Sequence, residues 1–163
     1  MFEKDLNHDL VSLFNREGWS WKIPDPDQRA MSSGGKRPFD GVAFFKDIGA
    51  YYFESKLIKN KLQAFSLDRI EEHQYENLLR LRSLGAETAL ILGFWASRKD
   101  YWFMCFDPLF LSELRLRKKS ILAKELQTYI DKGYTINLRH TENFRPAVLL
   151  SRRIDFFPGG ETS

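Results

Sequence analysis

Residues 40–46 and 50–58, DGVAFFK and AYYFESKLI, are apolar, aromatic-rich segments of strand length. The turn residues Asp47-Ile48-Gly49 lie between them, so the pair predicts an antiparallel hairpin. A hairpin this apolar must bury its faces, which commits the chain to a sheet-based core. Yet it carries Asp40, Glu54 and Lys56. Strand alternation places Tyr52, Glu54, Lys56 and Ile58 on one face and Tyr51, Phe53, Ser55 and Leu57 on the other. Glu54 and Lys56 therefore point the same way, about 6–7 Å apart at ~3.3 Å per residue. Acids and lysines are seldom put among buried strand residues unless they are paired or hold a metal.

The remaining segments arrange themselves around that hairpin. Residues 3–16 read as a helix with Leu6, Leu10, Leu13 and Phe14 along one face, ended by Gly18. Residues 19–23 alternate as a short strand. Residues 24–37, with Pro-Asp-Pro-Asp and Ser-Ser-Gly-Gly, read as a loop, mobile over 25–37. Asp68 followed by Glu71 predicts a capping box opening a helix that runs to Gly85. The apolar stripe of that helix is Ile70, Leu78 and Leu81, and Gln74 falls on it where a leucine would be expected. Residues 88–96 and 101–106 read as apolar strands across a polar turn. Residues 108–126 are expected to be helical in parts, 134–139 and 147–157 extended, and 158–163 a loose tail. No repeat, low-complexity tract or linker divides the chain, and 163 residues suit a single domain over 1–163. The expected fold is α/β: a central mixed sheet of about five strands flanked by helices.

At 43% hydrophobic, with 14 Phe and 4 Trp, the chain has the composition of a folded domain rather than a disordered one. A net charge of +3 decides little about partners. The clustering of the bases says more: Lys56, Lys59 and Lys61; Arg115, Arg117, Lys118 and Lys119; Arg152 and Arg153. Each cluster reads either as a solvated face or as a set of phosphate contacts. Cys105 is the single cysteine, which excludes an intramolecular disulfide and a cysteine-rich zinc site. Within YWFMCF it reads as a buried structural thiol. The first residues lack a signal-peptide pattern, and no apolar run nears the ~18 residues of a membrane span. The expected compartment is cytoplasmic, with no membrane partner.

An acid, then an acid and a lysine two apart, at the end of a small sheet suit phosphodiester hydrolysis. That reaction needs an activated water, neutralised phosphoryl oxygens and a stabilised leaving alkoxide. Mg²⁺, with Mn²⁺ as a substitute, can supply all three, and it takes carboxylate oxygens while keeping several waters. Asp40 and Glu54 form the expected metal pair, completed by the backbone carbonyl of Ser55. Lys56 would orient or deprotonate the attacking water, or meet charge on the transition state. Gln74, from the adjacent helix, would hydrogen-bond the water or the scissile phosphate. The ordinary alternatives are a cross-strand surface ion pair for Glu54 and Lys56, and a satisfied buried amide for Gln74.

The joint pattern is of the PD-(D/E)xK kind. Phe53-Glu54-Ser55-Lys56, followed by Phe65-Ser66-Leu67 and Glu72-His73-Gln74, resembles the RecU-type Holliday junction resolvases. Lys59-Asn60-Lys61 is similar to that family's basic turn, and Phe2-Glu3-Lys4-Asp5-Leu6-Asn7 to its first helix. Arg117-Lys118-Lys119-Ser120-Ile121, with Lys124-Glu125-Leu126 and Lys132-Gly133-Tyr134, is similar to its C-terminal third. The likeness spans most of residues 2–157 and is most specific at 53–74. It implies a restriction-endonuclease-like core, catalytic roles for Asp40, Glu54 and Lys56 assisted by Gln74, and Glu3 folded back toward the metal. It also implies a homodimer that nicks opposing strands of four-way junction DNA and leaves 5′-phosphates, with recombination proteins as further partners. Lys36, Arg37, Lys59, Lys61, Arg115, Arg117, Lys118 and Lys119 are the expected DNA contacts. The family commonly has a threonine before the key Asp, where this chain has Phe39. It also has a long projecting stalk, where only residues 25–37 are available here. Those departures point to a shorter, phage-like relative. Two alternatives stay open: a PD-(D/E)xK enzyme acting on flaps, ends or duplex DNA, and an inactive junction-binding module.

Overall fold

The computed structural model describes residues 2–24, 37–46, 48–58, 64–97 and 100–140. Along the chain run α1 (Glu3–Phe14), β1 (Gly18–Lys22), β2 (Gly41–Phe45), β3 (Gly49–Leu57), β4 (Ala64–Ser66), α2 (Glu72–Ser83), β5 (Glu87–Ser97) and β6 (Asp100–Phe106). They are followed by α3 (Pro108–Leu114), β7 (Ser120–Leu122), α4 (Leu126–Asp131) and β8 (Thr135–Asn137). Six strands form one sheet in the order β1-β2-β3-β5-β6-β8, and β4 pairs with β7 as a separate ribbon. β3 and β5 run parallel, while the other neighbours in the sheet are antiparallel. This is the central mixed sheet flanked by helices expected of a restriction-endonuclease-like core, with six strands rather than five.

The two faces of β3 sort as its alternation predicts. On one face Tyr51, Phe53 and Leu57 pack with Leu6, Leu10 and Phe14 of α1. Phe14 meets the rings of Phe45, Tyr51 and Phe53 at 5.7, 5.8 and 5.3 Å. Cys105 lies in the same layer, its Sγ 3.3 Å from the Tyr51 hydroxyl, and burial pushes its thiol up to about 12. It stays protonated and structural. On the other face Ile58 joins Leu90, Leu92, Phe94, Met104 and Phe106 against α2, α3 and α4.

Gly41 opens β2 opposite Phe53, and a Cβ there would sit 2.3 Å from Phe53 Cζ. The glycine lets a fully buried ring cross the strand beside Asp40. Gly41→Ala is expected to cost about 1–3 kcal/mol through overpacking, read as a lower urea midpoint. A second substitution, Phe53→Leu, should recover part of the loss.

Two expectations are corrected, over 68–85 and 134–139, while 108–126 is helical in parts as expected. α2 begins at Glu72, not Asp68: Leu67–Arg69 is a separate 3-10 turn, and Ile70 after it is extended at ψ 111°. The residue three after the cap is Gln74, whose side-chain carbonyl accepts the Glu71 N–H at 2.9 Å. The 108–126 region holds α3 but then a strand, because Ile121 is drawn into the core opposite Phe65 of β4. The 134–139 strand shortens to β8 and ends in a 3-10 turn at Leu138–His140. The loop over 25–36, the 147–157 strand and the 158–163 tail lie outside the described residues. Among the described residues no helix is long and apolar enough to cross a membrane.

Candidate active site

The site forms where the sheet divides. β2 and β3 pair as far as Gly41 and Phe53, and the Asp40 N–H adds one last backbone rung to the Phe53 carbonyl at 3.0 Å. Beyond it the chain leading into β2 turns away, and side chains take over the open edge of β3. The Ser55 N–H donates to Asp40 Oδ2 at 2.8 Å, and the Leu57 N–H approaches Glu3 Oε1 at 3.4 Å. In a strand the N–H and C=O of one residue point to the same side. The Ser55 carbonyl therefore also faces this gap rather than β5.

Asp40 is held from three directions. Its Oδ1 pairs with Arg37 Nη2, and its Oδ2 accepts from the Ser55 hydroxyl at 2.9 Å as well as from the Ser55 N–H. Arg37 Nη1 in turn reaches the Ile23 carbonyl at 3.2 Å, which ties the end of β1 to the site. Ser55 Oγ also meets the Asn7 side-chain amide, from α1. A hydroxyl has one proton to give. With Asp40 accepting it, the Asn7 amide serves best with its NH₂ turned to Oγ.

Glu54 is only 4% exposed. Its Oε1 accepts from Gln74 Nε2 and lies 3.5 Å from Lys56 Nζ. Gln74 thus bridges two tasks, capping α2 through its carbonyl and orienting Glu54 through its amide nitrogen. Burial pushes the Glu54 carboxyl up to about 8, and the neighbouring Asp40 charge adds to the rise. Lys56 and Arg37 pull it down without overcoming those two effects. A carboxylate pair that disfavours its own second charge is a place where a further cation is stabilising.

These groups line one cleft of about 300 Å³ with Glu3, Lys4, Asn7 and Lys22. Glu3 sits at its mouth, shared with Arg69 at 3.3 Å. The groups that could hold a metal are all oxygen donors: Asp40, Glu54 and the Ser55 carbonyl, with Glu3 lining the same cleft. Hard oxygen donors with few protein ligands fit Mg²⁺, which keeps several waters. Among the described residues no group of three or more His, Cys, Asp or Glu is close enough together to hold a metal ion.

The structure brings Asp40, Glu54, Ser55, Lys56, Gln74, Glu3 and Arg37 together. The second basic cluster lies elsewhere and is partly engaged within the fold. Arg115 forks onto Glu72 at 2.7 and 3.0 Å and stacks 4.2 Å over the Tyr75 ring. Lys118 pairs with Glu125 at 2.5 Å. Arg117 and Lys119 are exposed beside them. Lys36, Lys59, Lys61, Arg152 and Arg153 lie outside the described residues. Sequence reasoning missed Lys4, Asn7 and Lys22 as cleft residues. Asn7 carried a signal, a polar side chain beside Leu6 on the helix face that buries Leu10 and Phe14. Lys4 and Lys22 carried none.

No protein-family model matches the chain, and no curated protein matches it. Thirteen chains among solved structures match. One is the Holliday junction resolvase Hjc from the archaeal hyperthermophile Archaeoglobus fulgidus. It is 22% identical over 63% of this chain and 67% of that one, with a TM-score of 0.38.

Proposed function

We propose that this chain is a divalent-metal-dependent endonuclease of the PD-(D/E)xK kind that cleaves branched DNA, with the four-way junction as its substrate. One observation carries the reading. Two buried carboxylates, Asp40 and Glu54, face one cleft at the split of β2 from β3, and Lys56 stands 3.5 Å from Glu54. A surface ion pair would leave those carboxylates in water. An inactive DNA-binding module would gain nothing from acids facing phosphates. The resemblance of residues 53–74 to RecU-type resolvases supports the choice of substrate.

Asp40, Glu54 and the Ser55 carbonyl would hold the metal, with Glu3 closing in from α1. When bound, Mg²⁺ supplies charge neutralisation at the phosphoryl oxygens and lowers the pKa of a coordinated water. Arg37 and the Ser55 hydroxyl fix the Asp40 rotamer, and Gln74 fixes Glu54, so neither acid must reorganise during the reaction. The Lys56 ammonium, beside Glu54 Oε1, would hold the attacking water or meet charge on the phosphorane-like transition state. Water adds to phosphorus and the bond to the 3′ oxygen breaks, leaving a 5′-phosphate and a 3′-hydroxyl. Paired nicks across a two-fold junction call for a homodimer with one site per copy, and recombination proteins would be its further partners.

The test compares a synthetic four-way junction, a 5′ flap and a plain duplex of matched sequence, with Mg²⁺, with Mn²⁺ and in EDTA. Metal-dependent cleavage of the junction well above the duplex is expected. Equal rates on all three would reduce the reading to a general nuclease. Undiminished cleavage in EDTA would overturn the metal assignment.

A further inference from the structure

β1 alternates between two environments. Ser20 turns inward, where its N–H donates to Asn15 Oδ1 at 2.7 Å and its hydroxyl to the Val11 carbonyl at 2.9 Å. That anchoring forces Trp19 and Trp21 onto the opposite face, where Trp19 is cross-strand from Phe44 and Trp21 from Val42. Trp19, Trp21 and Phe44 remain 68%, 37% and 40% exposed. Their rings touch in series, with Trp19 to Trp21 at 4.9 Å and Trp21 to Phe44 at 5.6 Å. The latter pair is nearly parallel, at 28°. Exposed large apolar side chains are ordinary singly, whereas a contiguous patch calls for a ligand or partner.

The surroundings of the strip select the occupant. Lys22, the residue after Trp21, lines the catalytic cleft from the opposite face, that of Ser20, and Arg37 grips the following carbonyl, that of Ile23. At the other end Lys46 is exposed, one residue beyond Phe45, which pairs with Gly18. The strip shares the sheet face of Glu54, because Trp21 is in register with Val42 and Val42 with Tyr52, and a row of ring faces on that face with a cation beyond one end matches a nucleic acid strand with its bases unstacked from a complement. Three partly exposed rings offer roughly 300 Å² of surface, well short of the ~800 Å² that each partner contributes to a stable protein interface. The strip suits planar bases better than a second copy of the chain.

We propose that Trp19, Trp21 and Phe44 form a base-stacking platform for unpaired nucleotides of the DNA strand whose phosphodiester enters the Asp40–Glu54 cleft. The proposal rests on the nuclease reading and sharpens it: the preferred substrate carries single-stranded character next to the scissile bond. Ring faces read no sequence, so the platform tolerates any base.

The test uses the full chain in EDTA, where no cleavage intervenes. Its probes are a fluorescein-labelled dT 15-mer and an abasic 15-mer with the same phosphates, followed by anisotropy. The wild-type chain should bind dT at least about tenfold more tightly than the abasic strand. The double variant Trp19→Ala/Trp21→Ala should lose about tenfold or more on dT and leave abasic binding unchanged. Trp19→Phe/Trp21→Phe should retain most of the dT affinity. Quenching of wild-type tryptophan fluorescence by dT, absent with the abasic strand, gives a second readout that needs no variant. Equal loss on both oligonucleotides, or no loss, overturns the platform. So does sedimentation showing a dimer that the alanine variant dissociates in step with its loss of dT binding. The assignment of cleavage to the Asp40–Glu54 cleft fails by a separate measurement, junction cleavage that persists in Glu54→Gln. A variant pair insensitive to dT alongside an inactive Glu54→Gln sinks the platform alone.

Discussion

Lys56→Ala is expected to slow cleavage of a four-way junction by about 10²–10⁴-fold at saturating enzyme, while junction binding stays nearly unchanged. The ammonium is close to Glu54 Oε1 at 3.5 Å and mostly shielded from solvent, with its side chain 17% exposed. If the proposed site is the reacting one, Lys56 acts on the phosphate rather than on general attraction of DNA, and its removal should appear in the single-turnover rate and not in the dissociation constant. Lys56→Arg separates its two candidate roles. A guanidinium keeps the charge but does not give up its proton in proteins. Recovery of most of the rate in the arginine variant means that Lys56 works as a charge, and failure to recover means proton transfer or a compact hydrogen bond to water. Glu54→Gln should be at least as damaging, because the amide matches the shape of the carboxyl but offers a cation no charge. Wild-type cleavage in Lys56→Ala would remove Lys56 from the reaction and with it the assignment of the chemistry to this cleft.

The hairpin was readable because period-two alternation with both faces apolar has few other solutions, and Tyr51, Phe53 and Leu57 do pack on α1. Gln74 was readable as an exception on an apolar stripe, and it is the residue that holds Glu54. What the sequence could not show is what approaches from a distance. Asn7 and Ser55 are 48 residues apart and meet only because α1 lies across β3. Arg115 pairs with Glu72, 43 residues away, which no local pattern announces. Asp68 and Glu71 imitated a capping box, but the extended Ile70 between them prevents one helix from including both. β7 is three residues long, too short to show a period beside a basic run. The Asp40–Ser55 contact depends on where β2 stops pairing, a register fact that no local pattern carries.

The metal-free protein should become less stable as pH rises from about 5 to 8, and Glu54→Gln should remove much of that slope. In the folded chain burial and Asp40 push the Glu54 carboxyl up to about 8, against an ordinary value of 4.5. Between those two values the folded state holds a proton that the unfolded state has released. Folding is then linked to proton uptake, and stability falls with rising pH at up to ~1.4 kcal/mol per unit for one proton. The loss begins once pH passes the unfolded value and levels off above the folded one. The amide of the Glu54→Gln variant mimics the protonated, uncharged carboxyl at every pH. Thermal melts in EDTA at pH 5, 6, 7 and 8 provide the check, with the wild-type and variant curves expected to diverge as pH rises. Curves that stay parallel would mean that Glu54 ionises at no cost in the fold. Adding Mg²⁺ at pH 8 supplies the opposing cation: at a hundred times its dissociation constant it should stabilise the wild type by about 2.7 kcal/mol. The same addition should move Glu54→Gln far less. A cation that raised both melting temperatures equally would be binding somewhere other than between Asp40 and Glu54.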